Sequence, residues 1–303
     1  MISAEGLTRR FGAVSAVDGL SLEVQRGEIF GLLGPDGAGK TTLFRMLATV
    51  LEPTSGSARV AGVDVLTGAE DVKAHIGYMP QAFSLYGDLT VLENLRFIAE
   101  AYGVPRAQIG PRLDRLLAFS RLGPFLGRRA EFLSGGMKQK LALAATLIHE
   151  PAVLLLDEPT TGVDPVSRRE FWQILTELNG QGMTVLVATP YMDEAERCTR
   201  VALIHQGRIL SVDTPAAMKA RLDGVVIEVI AAPRREALAV ARTLPGVRQA
   251  TVFGPALHVV VAGAQLQPAL LSALRTAGVT VERAQVIDAS LEDVFVSLMR
   301  RTA

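Results

Sequence analysis

The sequence predicts an α/β domain over residues 1–216 and a smaller α+β domain over residues 223–303. Three observations predict it. Short apolar runs alternate with amphipathic helical stretches up to about residue 215, the pattern of strands and helices wound in turn. A glycine-rich turn joins one of those runs directly to a helix. Past Asp213-Thr214-Pro215 the order becomes strand, helix, strand, strand, helix, strand and a terminal helix, which is a ferredoxin-like order.

The elements follow from local pattern. Glu28 to Leu33 is an apolar strand running into the glycine turn. Leu43, Met46, Leu47, Val50 and Leu51 then fall on one helical face, and Glu52-Pro53-Thr54-Ser55-Gly56 ends that helix. Residues 88–122 carry little β-branching and read as a helical insertion. Pro151 introduces the run Ala152 to Leu156, and Val185 to Ala188 and Val201 to Ile204 are two more. Such short, wholly apolar runs suit strands buried on both faces of a parallel sheet. In the second domain the strands are Val225 to Ile230, Gln249 to Phe253, Leu257 to Val261 and Val279 to Val286. Its helices are Arg234 to Thr243 and Gln267 to Ala277.

Composition narrows the function classes. Hydrophobic residues make up 49% of the 303, enough for a sizeable core. Lys+Arg and Asp+Glu balance at 31 each, which argues against a chain built to coat nucleic acid. Cys198 is the single cysteine, so no intramolecular disulfide or thiolate cluster forms, and a reducing compartment is expected. The N-terminus lacks the apolar stretch of a signal peptide, and no run approaches the ~18–20 apolar residues of a membrane span. Any membrane role therefore requires a separate spanning polypeptide.

Gly34-Pro35-Asp36-Gly37-Ala38-Gly39-Lys40-Thr41 fits G-x-x-x-x-G-K-[ST], after a strand and opening a helix. Glycines let backbone N–H groups turn inward around a phosphate, and the helix N-terminus adds positive potential. Lys40 is placed to neutralise the β- and γ-phosphates, and the Thr41 hydroxyl to ligate Mg²⁺. Leu154-Leu155-Leu156-Asp157-Glu158 is an apolar strand ending in two acids. Asp157 is expected beside the Mg²⁺ and Glu158 as the general base that polarises water. Alone, a strand ending in two acids is a common surface feature; downstream of a phosphate loop it reads as a site.

At Leu133-Ser134-Gly135-Gly136-Met137 the chain resembles the ATP-binding-cassette ATPases, whose signature sequence this segment matches. Met137, Leu141, Ala144, Ala145 and Ile148 form an apolar helix face behind it, which makes Ser134 an N-cap. The resemblance implies a P-loop NTPase fold with a helical subdomain. It also implies that Ser134, Gly135 and Gly136 bind the γ-phosphate of ATP held by an opposite subunit, in a head-to-tail dimer. By the same resemblance Phe11 stacks on adenine, and residues 34–41 with Thr42 hold the nucleotide. Gln81, in Tyr78-Met79-Pro80-Gln81, touches Mg²⁺ and reports to a membrane partner. Asp164, in Thr160-Thr161-Gly162-Val163-Asp164-Pro165, relays signals across the dimer.

Two positions depart from the family. Asp36 stands where asparagine is usual, with a modest effect on affinity expected. Pro190, in Val187-Ala188-Thr189-Pro190-Tyr191, replaces the histidine that contacts the γ-phosphate. Proline has no side-chain donor and no N–H, so slow turnover is expected. Neither His149, in a helix-to-strand turn, nor His205, before Gln206-Gly207, offers a replacement; both read as structural or solvent-facing.

Residues 82–90, with Phe97 and Tyr102, resemble the region that grips a membrane subunit, although such aromatics also pack within helical insertions. Ala289-Ser290-Leu291-Glu292-Asp293-Val294-Phe295 resembles the ending of multidrug and antibiotic-export ATPases; Glu292 and Asp293 equally suit the solvated face of a last helix. The expectation is an ATP-hydrolysing exporter subunit on the cytoplasmic face of the membrane, with a second ATPase subunit, permease subunits and no nucleic acid. A nucleotide-sensing regulator with little hydrolysis, or a soluble factor, is the alternative.

Overall fold

The computed structural model describes residues 1–302, with side chains to residue 300. It divides into two compact units, Met1–Val212 and Asp213 onward. The first unit begins with an antiparallel sheet of order β2-β1-β4-β5. Its strands are β1 (Ile2–Phe11), β2 (Val14–Val24), β4 (Ser55–Val60) and β5 (Val63–Asp64), with β3 (Ile29–Leu33) entering a second sheet. That second sheet adds β6 (Ile76–Met79), β7 (Val153–Asp157), β8 (Thr184–Thr189), β9 (Arg200–His205) and β10 (Arg208–Asp213) in the order β10-β9-β3-β8-β7-β6. The pairings of β3 with β8 and β9, of β7 with β8, and of β6 with β7 are parallel.

Helices α1 (Lys40–Leu47), α2 (Ala69–His75), α3 (Val91–Ala101), α4 (Arg106–Ser120), α5 (Gly135–Leu147), α6 (Pro165–Gly180) and α7 (Met192–Ala195) complete the unit. The main core lies between the sheets. Phe30, Leu32, Leu155 and Leu186 of the parallel sheet meet Ile2, Leu7 and Leu20 of the antiparallel one, with Phe44 and Leu47 of α1 among them. β3 and β7 are buried at every position, as expected for strands covered on both faces. Residues 88–122 form α3 and α4 rather than one continuous helix. Thr90 caps α3 in a capping box with Glu93.

One sequence expectation fails here. The apolar helix face was extended through Val50 and Leu51, but α1 ends at Leu47 and Thr49 takes φ +58°. That left-handed residue turns the chain out of the helix. Val50 is consequently 63% exposed.

The second unit contains α8 (Pro215–Ala220), β11 (Val225–Ala232), α9 (Arg234–Thr243), β12 (Val247–Phe253), β13 (Ala256–Val261), α10 (Gln267–Thr276), β14 (Thr280–Ile287) and α11 (Leu291–Thr302). Its sheet order is β12-β13-β11-β14, antiparallel at each pairing, which is the ferredoxin-like arrangement. Ile227, Val229, Leu257 and Val259 point to one face and pack with Ala237, Leu270 and Leu274 of the helices. On α11, Asp293 is 2% exposed, not on a solvated face. Its Oδ1 lies 3.0 Å from His258 Nδ1, and its Oδ2 accepts from Ser290 N at 2.9 Å and Ser290 Oγ at 2.7 Å.

Candidate functional site: a phosphate loop facing two buried acids

β3 ends at Leu33, and the chain turns through residues 34–39 before α1 begins at Lys40. Gly39 sits at φ +106°, and a Cβ there would collide with the Ala16 carbonyl, so the turn admits only glycine. Gly34 and Ala38 are buried beneath the loop, whereas Pro35, Asp36 and Gly37 are exposed on it. Lys40 folds back under the turn. Its Nζ donates to the Gly34 carbonyl at 2.8 Å and the Pro35 carbonyl at 3.0 Å.

The acids arrive on β7. Asp157 is fully buried, and its Oδ1 accepts from Thr41 Oγ1 at 3.2 Å. Its Oδ2 has no hydrogen-bond partner. Burial above all, with the charge of Glu158, pushes the Asp157 carboxyl up to about 6, against the opposing pull of Thr41, Lys40 and Arg45. A buried carboxylate oxygen left open beside a hydroxyl is a costly arrangement by itself. It suits a hard divalent cation with oxygen ligands, so Thr41 and Asp157 fit Mg²⁺.

Glu158 adopts φ +50° at the strand end, an uncommon conformation for a residue with a side chain. Glu158 N donates to the Ala188 carbonyl at 3.1 Å. Its Oε1 lies 3.0 Å from Lys40 Nζ, and its Oε2 accepts from Gln81 Nε2 at 2.9 Å and Thr161 Oγ1 at 3.3 Å. No spacing rule singles out Thr161 as a contact of Glu158. Phe11, Lys40, Thr41, Thr42, Gln81 and Glu158 line one cleft of about 430 Å³, a size common for small-molecule sites. Asp36, Gly37 and Gly39 line it too.

Phe11 stands at the end of β1, 49% exposed. The Arg9 guanidinium sits 4.7 Å from its ring centroid and donates to the Glu52 carbonyl at 2.8 Å. Sequence reasoning missed Arg9, because two consecutive arginines before an aromatic carry no spacing rule.

Eight predicted residues are not in the lining of this cleft: Gly34, Pro35 and Ala38 belong to the loop itself, Asp157 bonds Thr41, and Ser134, Gly135, Gly136 and Asp164 lie on other segments. Ser134 is exposed and caps α5, accepting from Met137 N at 3.3 Å. Gly135 is exposed beside it, and Gly136 is buried where a Cβ would strike Ser167. Asp164 caps α6 by accepting from Val166 N and Ser167 N, each at 3.0 Å, and the contacts with Ser167 and Val166 hold its carboxyl below the usual range. Pro190 follows β8 and is half-buried, also outside the cleft lining.

His149 is structural: its Nε2 lies 2.8 Å from the Ile76 carbonyl, and its ring stacks on Tyr102 at 3.9 Å. A second hollow beside Gln81 is lined by Tyr78, Pro80, Phe83, Leu85, Ile98 and Tyr102. Tyr86, Phe97 and Tyr102 remain roughly half exposed. Tyr86 and Phe97 also meet edge to face at 5.0 Å, so these two aromatics pack against one another. Among the described residues no helix is long and apolar enough to cross a membrane.

Residues 17–161 match the ABC transporter family model, and residues 214–299 match the C-terminal domain of DrrA1-3-like ATP-binding proteins. A probable multidrug ABC transporter ATP-binding protein, YbhF of Escherichia coli, is 51% identical over 74% of this chain, which spans only 39% of that relative's length. The daunorubicin resistance ATP-binding protein DrrA2 of Streptomyces coeruleorubidus is 38% identical over 98% of this chain and 94% of its own. The linearmycin resistance ATP-binding protein LnrL of Bacillus subtilis is 34% identical over 100% and 99% respectively. A solved ATP-binding subunit of an ABC transporter superposes with TM-score 0.67 at 30% identity, over 73% of this chain and 92% of that one. The dimeric post-hydrolysis cassette MJ0796 bound to ADP and Pi superposes with TM-score 0.64 at 25% identity, over 71% and 98%. With its phosphate loop, paired strand-end acids and exposed helix cap in place, the chain belongs to the ATP-binding proteins of ABC transporters.

Proposed function

We propose that this chain binds Mg-ATP in the Lys40 cleft and hydrolyses it within a head-to-tail dimer, driving export through separate membrane subunits. The observation that carries the reading is the convergence of Lys40, Thr41, Gln81 and Glu158 on one cleft, with Asp157 bonded to Thr41 and its Oδ2 left open. Adenine stacks on the exposed Phe11 ring. The N–H groups of the loop and Lys40 take the phosphates. Thr41, Asp157 and Gln81 would hold Mg²⁺, which would supply charge neutralisation at the β- and γ-phosphates. Glu158 accepts the proton of the attacking water, so that ATP and water leave as ADP and inorganic phosphate. Gln81 and Thr161 aim the carboxylate from its other oxygen.

The dimer is supported by Ser134 and Asp164, which are exposed helix caps outside their own cleft. The MJ0796 cassette, to which this chain is similar, is a dimer. Export is supported by the resistance proteins that match along the whole chain. The half-exposed aromatic hollow beside Gln81 suits a segment of a permease at the cytoplasmic face of the membrane. A regulator with little hydrolysis is favoured by one observation, Pro190 in place of a γ-phosphate donor.

Phosphate release by the purified chain, beside Lys40→Ala, tests the reading. Mg-dependent release that Lys40→Ala abolishes is expected. ATP binding without release in the parent chain selects the regulator, and release that persists in Lys40→Ala overturns the site.

A further inference from the structure

Glu194 lies on α7, outside the cleft, yet it is one of the most deeply buried carboxylates of the first unit, at 1% exposure. Burying a carboxylate is expensive unless each oxygen is bonded. Here both are. Oε1 accepts from Thr160 Oγ1 at 2.5 Å, and Oε2 accepts from Thr189 Oγ1 at 2.7 Å. Arg168 Nε stands 3.7 Å from Oε1, while the same guanidinium reaches Asp193 at 3.0 Å and lies 4.8 Å over the Tyr191 ring.

The two threonines belong to different segments. Thr189 ends β8, and its Oγ1 also accepts from Tyr191 N at 3.0 Å. It thereby fixes the chain across Pro190, which has no N–H to give. Thr160 belongs to the loop after Glu158, a tight turn closed by Thr161 N to the Glu158 carbonyl at 3.2 Å and Val163 N to the Thr160 carbonyl at 3.1 Å. Thr161, the next residue, donates to Glu158 Oε2. Two consecutive hydroxyls of one loop thus reach two different buried carboxylates.

We propose that Glu194 is a positioning residue for hydrolysis. It clasps the Thr189–Tyr191 segment to the Thr160–Thr161 loop and so holds Glu158 aimed, in a chain whose Pro190 supplies no donor of its own. The proposal rests on the reading of Glu158 as the base. A displacement of about 1 Å in such a constellation is enough to cost on the order of a hundredfold in rate. Phe11, Lys40 and Thr41 do not touch Glu194, and Glu158 keeps its charge opposite Lys40 when the clasp is lost, so nucleotide affinity changes little.

The experiment measures kcat for Mg-ATP and equilibrium ATP binding on the full chain and on Glu194→Ala, Glu194→Gln, Thr160→Val and Glu158→Gln. Glu194→Ala is expected to lose at least about tenfold in kcat with Kd for ATP within about threefold. Glu194→Gln, which keeps an acceptor for Thr160 and an amide for Thr189, recovers most of that loss. Should Glu194→Ala fail to fold, Thr160→Val carries the test, with kcat reduced at unchanged Kd. A purely structural role predicts lower melting temperature with parental kcat in the folded fraction, or ATP affinity and kcat falling together; either result overturns the proposal. Parental turnover in Glu158→Gln overturns the base assignment and the clasp with it. An inactive Glu158→Gln beside parental turnover in Thr160→Val overturns the clasp alone.

Discussion

Lys40 Nζ and Glu158 Oε1 stand 3.0 Å apart, with the two side chains only 4% and 5% exposed. The cation proposed for phosphate and the carboxylate proposed for water neutralise one another across the cleft. Incoming phosphate must compete with Glu158 for Lys40, and in doing so it frees Glu158 for the attacking water. Replacing Glu158 by glutamine removes that competitor, so Glu158→Gln is expected to bind ATP roughly tenfold more tightly, about 1.4 kcal/mol. Fluorescent-nucleotide titration reads the change. Unchanged or weaker affinity means the pair does not restrain the site.

Pro190 brings neither a side-chain donor nor an N–H to the segment after β8. Pro190→His is expected to raise kcat by at least roughly tenfold, since one donor to a developing anion is worth about 10²–10³ at comparable sites. Steady-state phosphate release measures it. Equal rates would remove Pro190 from the mechanism.

Phe11 presents one face to solvent while Arg9 backs the other at 4.7 Å. Stacking a base on an aromatic ring is worth about 1–3 kcal/mol. Phe11→Ala is therefore expected to weaken ATP binding by roughly five- to a hundredfold, and Phe11→Tyr to leave it near the parent value. Calorimetric titration checks both, and full affinity in Phe11→Ala places the base elsewhere.

Asp293 contributes to the pH dependence of the second unit. Burial alone would raise its carboxyl, but the hydrogen bonds from His258 on β13 and Ser290 outweigh it and lower the pKa below the ordinary value. Glu292 beside it shifts the opposite way, by burial and by the charge of Asp293. A folded-state pKa below the unfolded one gives stability that is complete above the unfolded value and lost as pH falls through the folded one. Asp293→Asn should therefore destabilise α11 by roughly 2 kcal/mol at pH 7. The difference from the parent should shrink below about pH 4. Hydrogen exchange of residues 290–300 follows it; a difference independent of pH excludes the Asp293 charge as its source.

Much of this was legible along the chain. The phosphate loop, the apolar strand ending in Asp157 and Glu158, and the Ser134 cap are local patterns with a fixed spacing, and each forms as read. The second unit was legible because its short alternating strands leave one order. What stayed hidden depends on distance along the chain. Glu194 and Thr160 are 34 residues apart, and Asp293 and His258 are 35 apart. No periodicity links an acid to a hydroxyl or imidazole across such a gap, so Asp293 was as compatible with solvent as with the core. The end of α1 was misread for the opposite reason. Val50 and Leu51 continue the apolar period, and the left-handed turn at Thr49 overrides it without a glycine to announce it.

Single-turnover hydrolysis of bound ATP by the purified chain, compared with Glu158→Gln, tests the central claim most directly. A carboxylate acting as general base is worth about 10²–10⁴ in rate. The expected result is a fall of at least a hundredfold in the chemical step, with ATP still bound. Cleavage in Glu158→Gln at the parental rate would contradict the claim that this cleft hydrolyses ATP through Glu158.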